Sequence, residues 1–192
     1  DMAEELFWTV LKHLQQTTPG FGGRTYAGMP KRFKRLIHVV DSTTISLVAN
    51  CMDWAKHRRR KAAAKCHMRL DLQSFLPKFA IVDSAKCTDP VMAYELCADI
   101  KDGEIVIFDK AYVDFKHLFK LNSRGVFWVT RAKDNMQYKT IKENETNGKI
   151  LRDEIIELTT PNTYKLYSEY LRLVEASVEV NGKEIEMTFI TN

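Results

Sequence analysis

The chain has 192 residues, 45% hydrophobic and 28% charged, with a formal net charge of +4. That composition excludes a disordered, collagen-like or disulfide-framework protein and fits one globular domain, or one with an insertion. No apolar run approaches the ~20 residues of a membrane-spanning helix, and Asp1-Met2-Ala3-Glu4-Glu5-Leu6 lacks the basic-then-apolar form of a signal peptide.

The chain does not open on methionine, so a piece of a longer protein is expected. Cys51, Cys66, Cys87 and Cys97 are scattered with no CxxC pair. They read as reduced, mostly buried thiols, against a zinc site or disulfide frame. Charge is uneven: residues 1–75 carry 13 Lys or Arg against 6 Asp or Glu, and residues 137–192 carry 7 against 10. A positive first part predicts a polyanionic partner, nucleic acid first.

Residues 3–16 place Leu6, Phe7, Val10, Leu11 and Leu14 on one face of an amphipathic helix. Residues 17–28 are loop, and the basic Lys31-Arg32-Phe33-Lys34-Arg35 leads into a strand, as a solvated entry or a phosphate contact. That strand, Leu36-Ile37-His38-Val39-Val40, stops at Asp41. Ser42-Thr43-Thr44 is expected as a polar turn before an apolar run over residues 45–51. Next comes a basic segment in which five of the six residues 56–61 are Lys or Arg. It is not periodic, so it reads as an ordered basic loop. Lys56, Arg58, Arg59, Arg60 and Lys61 would neutralise phosphates, and Trp54 offers a stacking face.

Residues 65–75 alternate and residues 79–83 are apolar, with Leu76-Pro77-Lys78 as the break; this predicts an antiparallel pair of strands. Asp89-Pro90 is expected to open a helix as N-cap and first helical residue. The helix should run to about Ile100 with Val91, Ala93, Tyr94, Leu96 and Cys97 inward. Asp102-Gly103 turns the chain into Glu104-Ile105-Val106-Ile107-Phe108-Asp109, a second apolar strand stopping at an aspartate. Residues 114–123 are a helix with Phe115, Leu118, Phe119 and Leu121 apolar. Residues 125–130 are another strand, ending at Arg131-Ala132-Lys133. From residue 136 the chain turns polar and acidic. Short alternating runs at 150–158, 164–167, 170–180 and 185–190 are separated by Asn147-Gly148, Thr160-Pro161-Asn162 and Asn181-Gly182. This predicts a β-meander.

A capped turn accounts for either aspartate alone. Their repetition at the ends of two buried strands predicts instead a pair that shares a divalent cation. The order strand, strand, strand, helix, strand, helix, strand matches an α/β, RNase H-like (retroviral-integrase-like) mixed sheet with flanking helices. In that fold the first and fourth strands are neighbours. The expected organisation is an N-terminal helix and basic loop over 1–35, the core over 36–135, and a β-rich insertion over 136–192.

Five motifs in order then resemble the DDE transposases of bacterial insertion sequences, the insertion-sequence-4 family in particular. They are Val40-Asp41-Ser42-Thr43-Thr44; Trp54-Ala55-Lys56; Lys61-Ala62-Ala63-Ala64-Lys65-Cys66-His67; Phe108-Asp109-Lys110-Ala111-Tyr112; and Val129-Thr130-Arg131-Ala132-Lys133-Asp134-Asn135. The resemblance covers residues 36–192. It implies Asp41 and Asp109 as catalytic, metal-binding carboxylates for two Mg²⁺ or Mn²⁺ ions ~3.5–4 Å apart on the scissile phosphate. It implies hydrolysis and strand transfer on DNA, at terminal inverted repeats and in target DNA, by a homodimer in a bacterial, cytoplasmic, nucleoid-associated setting. Lys65, Arg131 and Lys133 join residues 56–61 as backbone contacts. The family's third carboxylate, a Glu on a later helix, has no counterpart here. Glu154, Glu157, Glu175, Glu179, Glu184 and Glu186 all lie in the expected insertion, so this chain is expected to be inactive alone. His67 and His38 are weaker acid/base candidates. The alternatives are a non-catalytic DNA-binding remnant and another RNase H-like nuclease.

Overall fold

The computed structural model describes residues 2–21, 34–47, 62–84 and 88–192. The elements in chain order are α1 (Met2–Thr17), β1 (Ile37–Leu47), β2 (Ala62–Asp71), β3 (Leu76–Ser84), α2 (Asp89–Leu96), β4 (Ile105–Phe108), α3 (Phe115–Ser123), β5 (Phe127–Arg131), β6 (Tyr138–Glu143), β7 (Ile150–Leu158), α4 (Pro161–Leu166), β8 (Leu171–Val180) and β9 (Lys183–Thr191). All nine strands join one mixed sheet in the order β3-β2-β1-β4-β5-β9-β8-β7-β6. β1, β4 and β5 are parallel, and every other pairing is antiparallel. The first and fourth strands are neighbours, as the RNase H-like order requires.

Helices α2, α3 and α4 lie against one face of the sheet and touch in sequence, α2 on α3 and α3 on α4. One apolar core fills the layer between. It joins Val40, Val106, Phe108 and Trp128 of the parallel strands to Leu96, Leu118 and Leu121 of the helices and to Ile156, Leu173 and Ile190 of the later strands. The β-rich segment from residue 138 therefore continues the same sheet through the β5–β9 pairing and shares its core. Burial of about a dozen large side chains at ~25 cal/mol per Å² is what holds the two layers together.

Several local expectations are corrected. Ser42-Thr43-Thr44 is not a turn: β1 runs on to Leu47, with Thr43 opposite Cys66 and Thr44 opposite Lys65. β-Branched threonines suit that extension. The break between β2 and β3 falls at residues 72–75, where Phe75 takes φ +56°. Pro77 sits within β3, which the edge position tolerates. The N-cap of α2 is Thr88, not Asp89, and Val91 points to solvent while Met92, Ala93 and Leu96 are buried. Residues 164–167 are not a strand. Thr160 caps and Pro161 opens the short helix α4 instead. β6 is an edge strand with almost every residue exposed, so it carries no apolar signal. Helix α1 forms as expected, but none of its residues is buried. Cys97 is buried, which pushes its thiol up to about 12, and Cys66 is half-buried. Cys51 and Cys87 lie outside the described residues.

Candidate active site

The parallel register sets the site. Val40 pairs with Phe108, and Phe108 with Thr130. The next residue on each strand is Asp41, Asp109 or Arg131. Val40, Phe108 and Thr130 are buried toward the helices. Side chains alternate along extended backbone, so the residue after each faces the opposite side of the sheet. Asp41, Asp109 and Arg131 are all exposed there. They form a row across three strands, at a strand spacing of about 4.8 Å. Asp109 follows the end of β4. Asp41 does not end β1, because that strand continues; it lies where β1 passes the end of β4.

Each aspartate is braced locally. Asp41 Oδ1 accepts the Ser42 amide at 2.7 Å. Asp109 Oδ1 accepts the Lys110 amide and so caps the single helical turn Lys110–Tyr112. Oδ2 of both makes no hydrogen bond or ion pair among the described residues. Beside Asp109 opens a depression of about 550 Å³ lined by Asp109, Lys110, Ala111, Arg131, Lys133, Asp134 and Asn135. Lys110 Nζ lies 3.3 Å from Asp134 Oδ2. Lys133 Nζ donates to the Val113 carbonyl at 3.0 Å. The Arg131 side chain has no partner among the described residues.

Behind the row, on the helix side, lies a polar cluster that joins Lys65 and His67 to Asp89, which the sequence marked only as a helix start. Asp89, at the start of α2, accepts the Ser42 hydroxyl at 3.1 Å and pairs with Lys65 Nζ at 2.6 Å. His67 Nδ1 is 3.6 Å from the same carboxylate oxygen and 3.2 Å from the Tyr112 hydroxyl. His67 is fully buried, and burial, with the Lys65 charge adding to it, holds its ring below the ordinary 6.5 against the charges of Asp89 and Asp83. Burial likewise raises the Tyr112 phenol, helped by the charges of Asp89 and Asp41. Both groups are neutral at physiological pH. The one local signal at Asp89, its place before Pro90, points to a helix start and not to this cluster.

His38 is buried on β1 with Nε2 3.0 Å from Glu104, remote in the register from Asp41. It is a tie between β1 and the turn into β4. Lys65 is half-buried and occupied by Asp89, so it belongs to the cluster rather than to an open phosphate-binding surface. Lys56, Arg58, Arg59, Arg60 and Lys61 lie outside the described residues, as do Trp54 and residues 31–33. The donors at Asp41 and Asp109 are hard, exposed carboxylate oxygens, the type Mg²⁺ and Mn²⁺ take. Among the described residues no group of three or more His, Cys, Asp and Glu is placed to hold a metal ion.

The family model of the transposase DDE domain matches residues 32–187. A Sinorhizobium fredii protein named "Putative transposase y4zB" is 29% identical over 110 residues, 57% of this chain and 30% of that protein. A Geobacillus stearothermophilus protein named "Probable transposase for insertion sequence element IS5377" is 24% identical over 165 residues, 84% of this chain and 42% of that protein. This chain thus spans less than half the length of these curated relatives. Among solved structures, the piggyBac transposase synaptic complex with hairpin DNA matches with a TM-score of 0.46 and 9% identity, over 81% of this chain and 32% of that one.

Proposed function

This chain belongs to the transposase DDE domain family, and from that premise we propose that it forms part of the catalytic core of a bacterial insertion-sequence transposase, of the insertion-sequence-4 kind. Asp41 and Asp109 are the first two catalytic carboxylates. The observation that carries this reading is their adjacent place, one step beyond the Val40–Phe108 pair, on the exposed face of the sheet.

A divalent cation held by the two carboxylates would supply the charge that polarises a phosphodiester and favours the deprotonated nucleophile. The chain's own residues do the rest. Asp41 and Asp109 offer their unpartnered Oδ2 atoms as hard donors. Arg131 on the same face meets the DNA backbone without reading its sequence. Lys133 lines the depression beside Asp109, and the basic residues 56–61 add charge for neighbouring phosphates. The substrates are the inverted-repeat ends of the element and its target DNA, and the working unit on DNA is a homodimer.

Two carboxylates with waters satisfy one Mg²⁺. A second ion needs more negative charge to offset the repulsion between the cations, and electrostatic contributions of this kind dominate such reactions. This chain by itself is therefore inactive. The test is strand cleavage and joining on the element's ends with Mg²⁺ or Mn²⁺, by this chain and by the full-length protein that contains it. Only the full-length protein should react, and Asp41→Asn or Asp109→Asn should each abolish its reaction. Full-length activity that survives both substitutions would overturn the site. Cleavage by this chain that Asp109→Asn removes would overturn its inactivity.

A further inference from the structure

We propose that Asp89, His67 and Tyr112 are positioning residues that lock the spacing of Asp41 and Asp109; the inference rests on the reading of those aspartates as the metal-binding pair.

Each aspartate leans on a backbone amide. Asp41 is braced by the amide of Ser42, and the hydroxyl of that same Ser42 is held by Asp89. Asp109 is braced by the amide that opens the turn Lys110–Tyr112, and the residue closing that turn, Tyr112, is held by His67. His67 Nδ1 lies 3.6 Å from the oxygen of Asp89 that takes Ser42 and Lys65. The backbone supports of both aspartates are thus tied to one cluster contributed by β1, β2, α2 and the turn after β4.

The cluster is built where an apolar core would serve stability as well. His67 is 0% and Tyr112 2% exposed. An unmet polar group at such depth is destabilising, and the buried His67 Nε2 has no partner among the described residues. Replacing buried polar sets by apolar ones is often neutral or stabilising. What the polar set provides instead is direction: Asp89 accepts from Ser42 on β1 and Lys65 on β2, and the phenol and imidazole meet in a T-shaped arrangement, at 86° between rings. Groups that orient metal ligands commonly change metal affinity by about 10–100-fold when removed.

The test measures Mn²⁺ affinity by calorimetry on the intact chain, beside thermal stability of the metal-free form. Asp89→Asn and Tyr112→Phe should each weaken Mn²⁺ binding about tenfold or more. Ser42→Ala, at a half-exposed position that threatens folding least, should weaken it too, and Ser42→Thr, which keeps the hydroxyl, should restore it. Asp99→Asn breaks the Arg69–Asp99 pair near the other end of α2. It should lower stability and leave Mn²⁺ affinity unchanged. If wild-type binding does not depend on Asp41 and Asp109, the metal-site reading fails and takes this inference with it. If wild-type binding depends on them and Ser42→Ala and Tyr112→Phe bind like wild type, the inference alone is overturned and the cluster is only part of the core.

Discussion

Val40 and Phe108 form the last parallel pair between β1 and β4, and the residue after each is an aspartate. Two carboxylates on neighbouring strands repel each other when no cation lies between them. Divalent metal should therefore stabilise the fold. At a free concentration of 100 times Kd the gain is about 2.7 kcal/mol, or roughly 5–10 °C in Tm for a domain of this size. Asp41→Asn and Asp109→Asn should each remove the rise with Mg²⁺ or Mn²⁺ and melt at or above the wild-type temperature without metal. Scanning calorimetry with and without metal checks this. A metal-dependent rise that persists in both variants would place the ion elsewhere.

His117 should contribute to the response to acid. It is 2% exposed, packed between the rings of Tyr94 at 4.4 Å and Phe108 at 5.9 Å, and its Nδ1 has no partner among the described residues. Burial lowers its pKa from 6.5 to about 4. The unfolded chain binds a proton below pH 6.5 that the folded chain refuses until about pH 4. Stability should thus fall as pH drops through that window, by on the order of 3 kcal/mol for this group. Burial shifts His67 in the same direction. His117→Leu should flatten the pH dependence of urea midpoints between those limits while leaving the His67 share. An unchanged slope would mean that His117 is protonated in the fold.

The strands that place Asp41 and Asp109 side by side were legible in the sequence from local pattern. β1 and β4 announce themselves as apolar, β-branched runs that reach an aspartate, and the match to the RNase H-like strand order, in which the first and fourth strands are side by side, makes them neighbours. Asp89 was not legible as a member of the polar cluster. Its partners, Ser42, Lys65 and His67, lie 22–47 residues away and meet it only once α2 packs on β1 and β2. Tyr112 was seen only as part of a motif, because its hydroxyl finds His67 through the β1–β2 register. The Thr160-Pro161 pair signals either a turn or a helix start, and the decision for α4 comes from packing: Tyr167, just after the helix, is buried edge to face on Phe119 and Trp128. β6 has no apolar face, and only its pairing with β7 makes it a strand.

Gly125 shows what the turn between α3 and β5 demands. Its φ is +72°, and a Cβ there would lie 1.9 Å from Asp102 Oδ1. Its carbonyl also accepts the Gly103 amide at 2.9 Å, joining two turns at one end of the parallel strands. Gly125→Ala should cost about 1–3 kcal/mol from backbone strain, and more if Asp102 cannot swing away. Adding Asp102→Ala should recover the steric part and leave the strain. Urea midpoints of the single and double variants separate the two contributions. A double variant as stable as wild type would show that strain at this residue is negligible.

The last prediction tests the proposal that DNA is held beside Asp109. The basic residues near the two aspartates differ in freedom: Lys110 faces Asp134 at 3.3 Å. Lys65 is taken by Asp89, and Lys133 by the Val113 carbonyl. Arg131, next in the row after Asp109, has no side-chain partner among the described residues, so its charge is available to a phosphate. A guanidinium contacting one phosphate of duplex DNA contributes about 0.9 to the slope of log K against log salt. Arg131→Ala should weaken binding to any duplex by a similar factor and reduce that slope by about this amount. Lys133→Ala should do less. Lys65→Ala should act mainly on stability, because it leaves Asp89 without its cation at a half-buried position. Fluorescence anisotropy over a salt series, on an element-end duplex and an unrelated one, distinguishes these outcomes. If Arg131→Ala leaves the slope unchanged, or weakens only the end sequence, then Arg131 is not a backbone contact and the depression beside Asp109 does not carry the DNA.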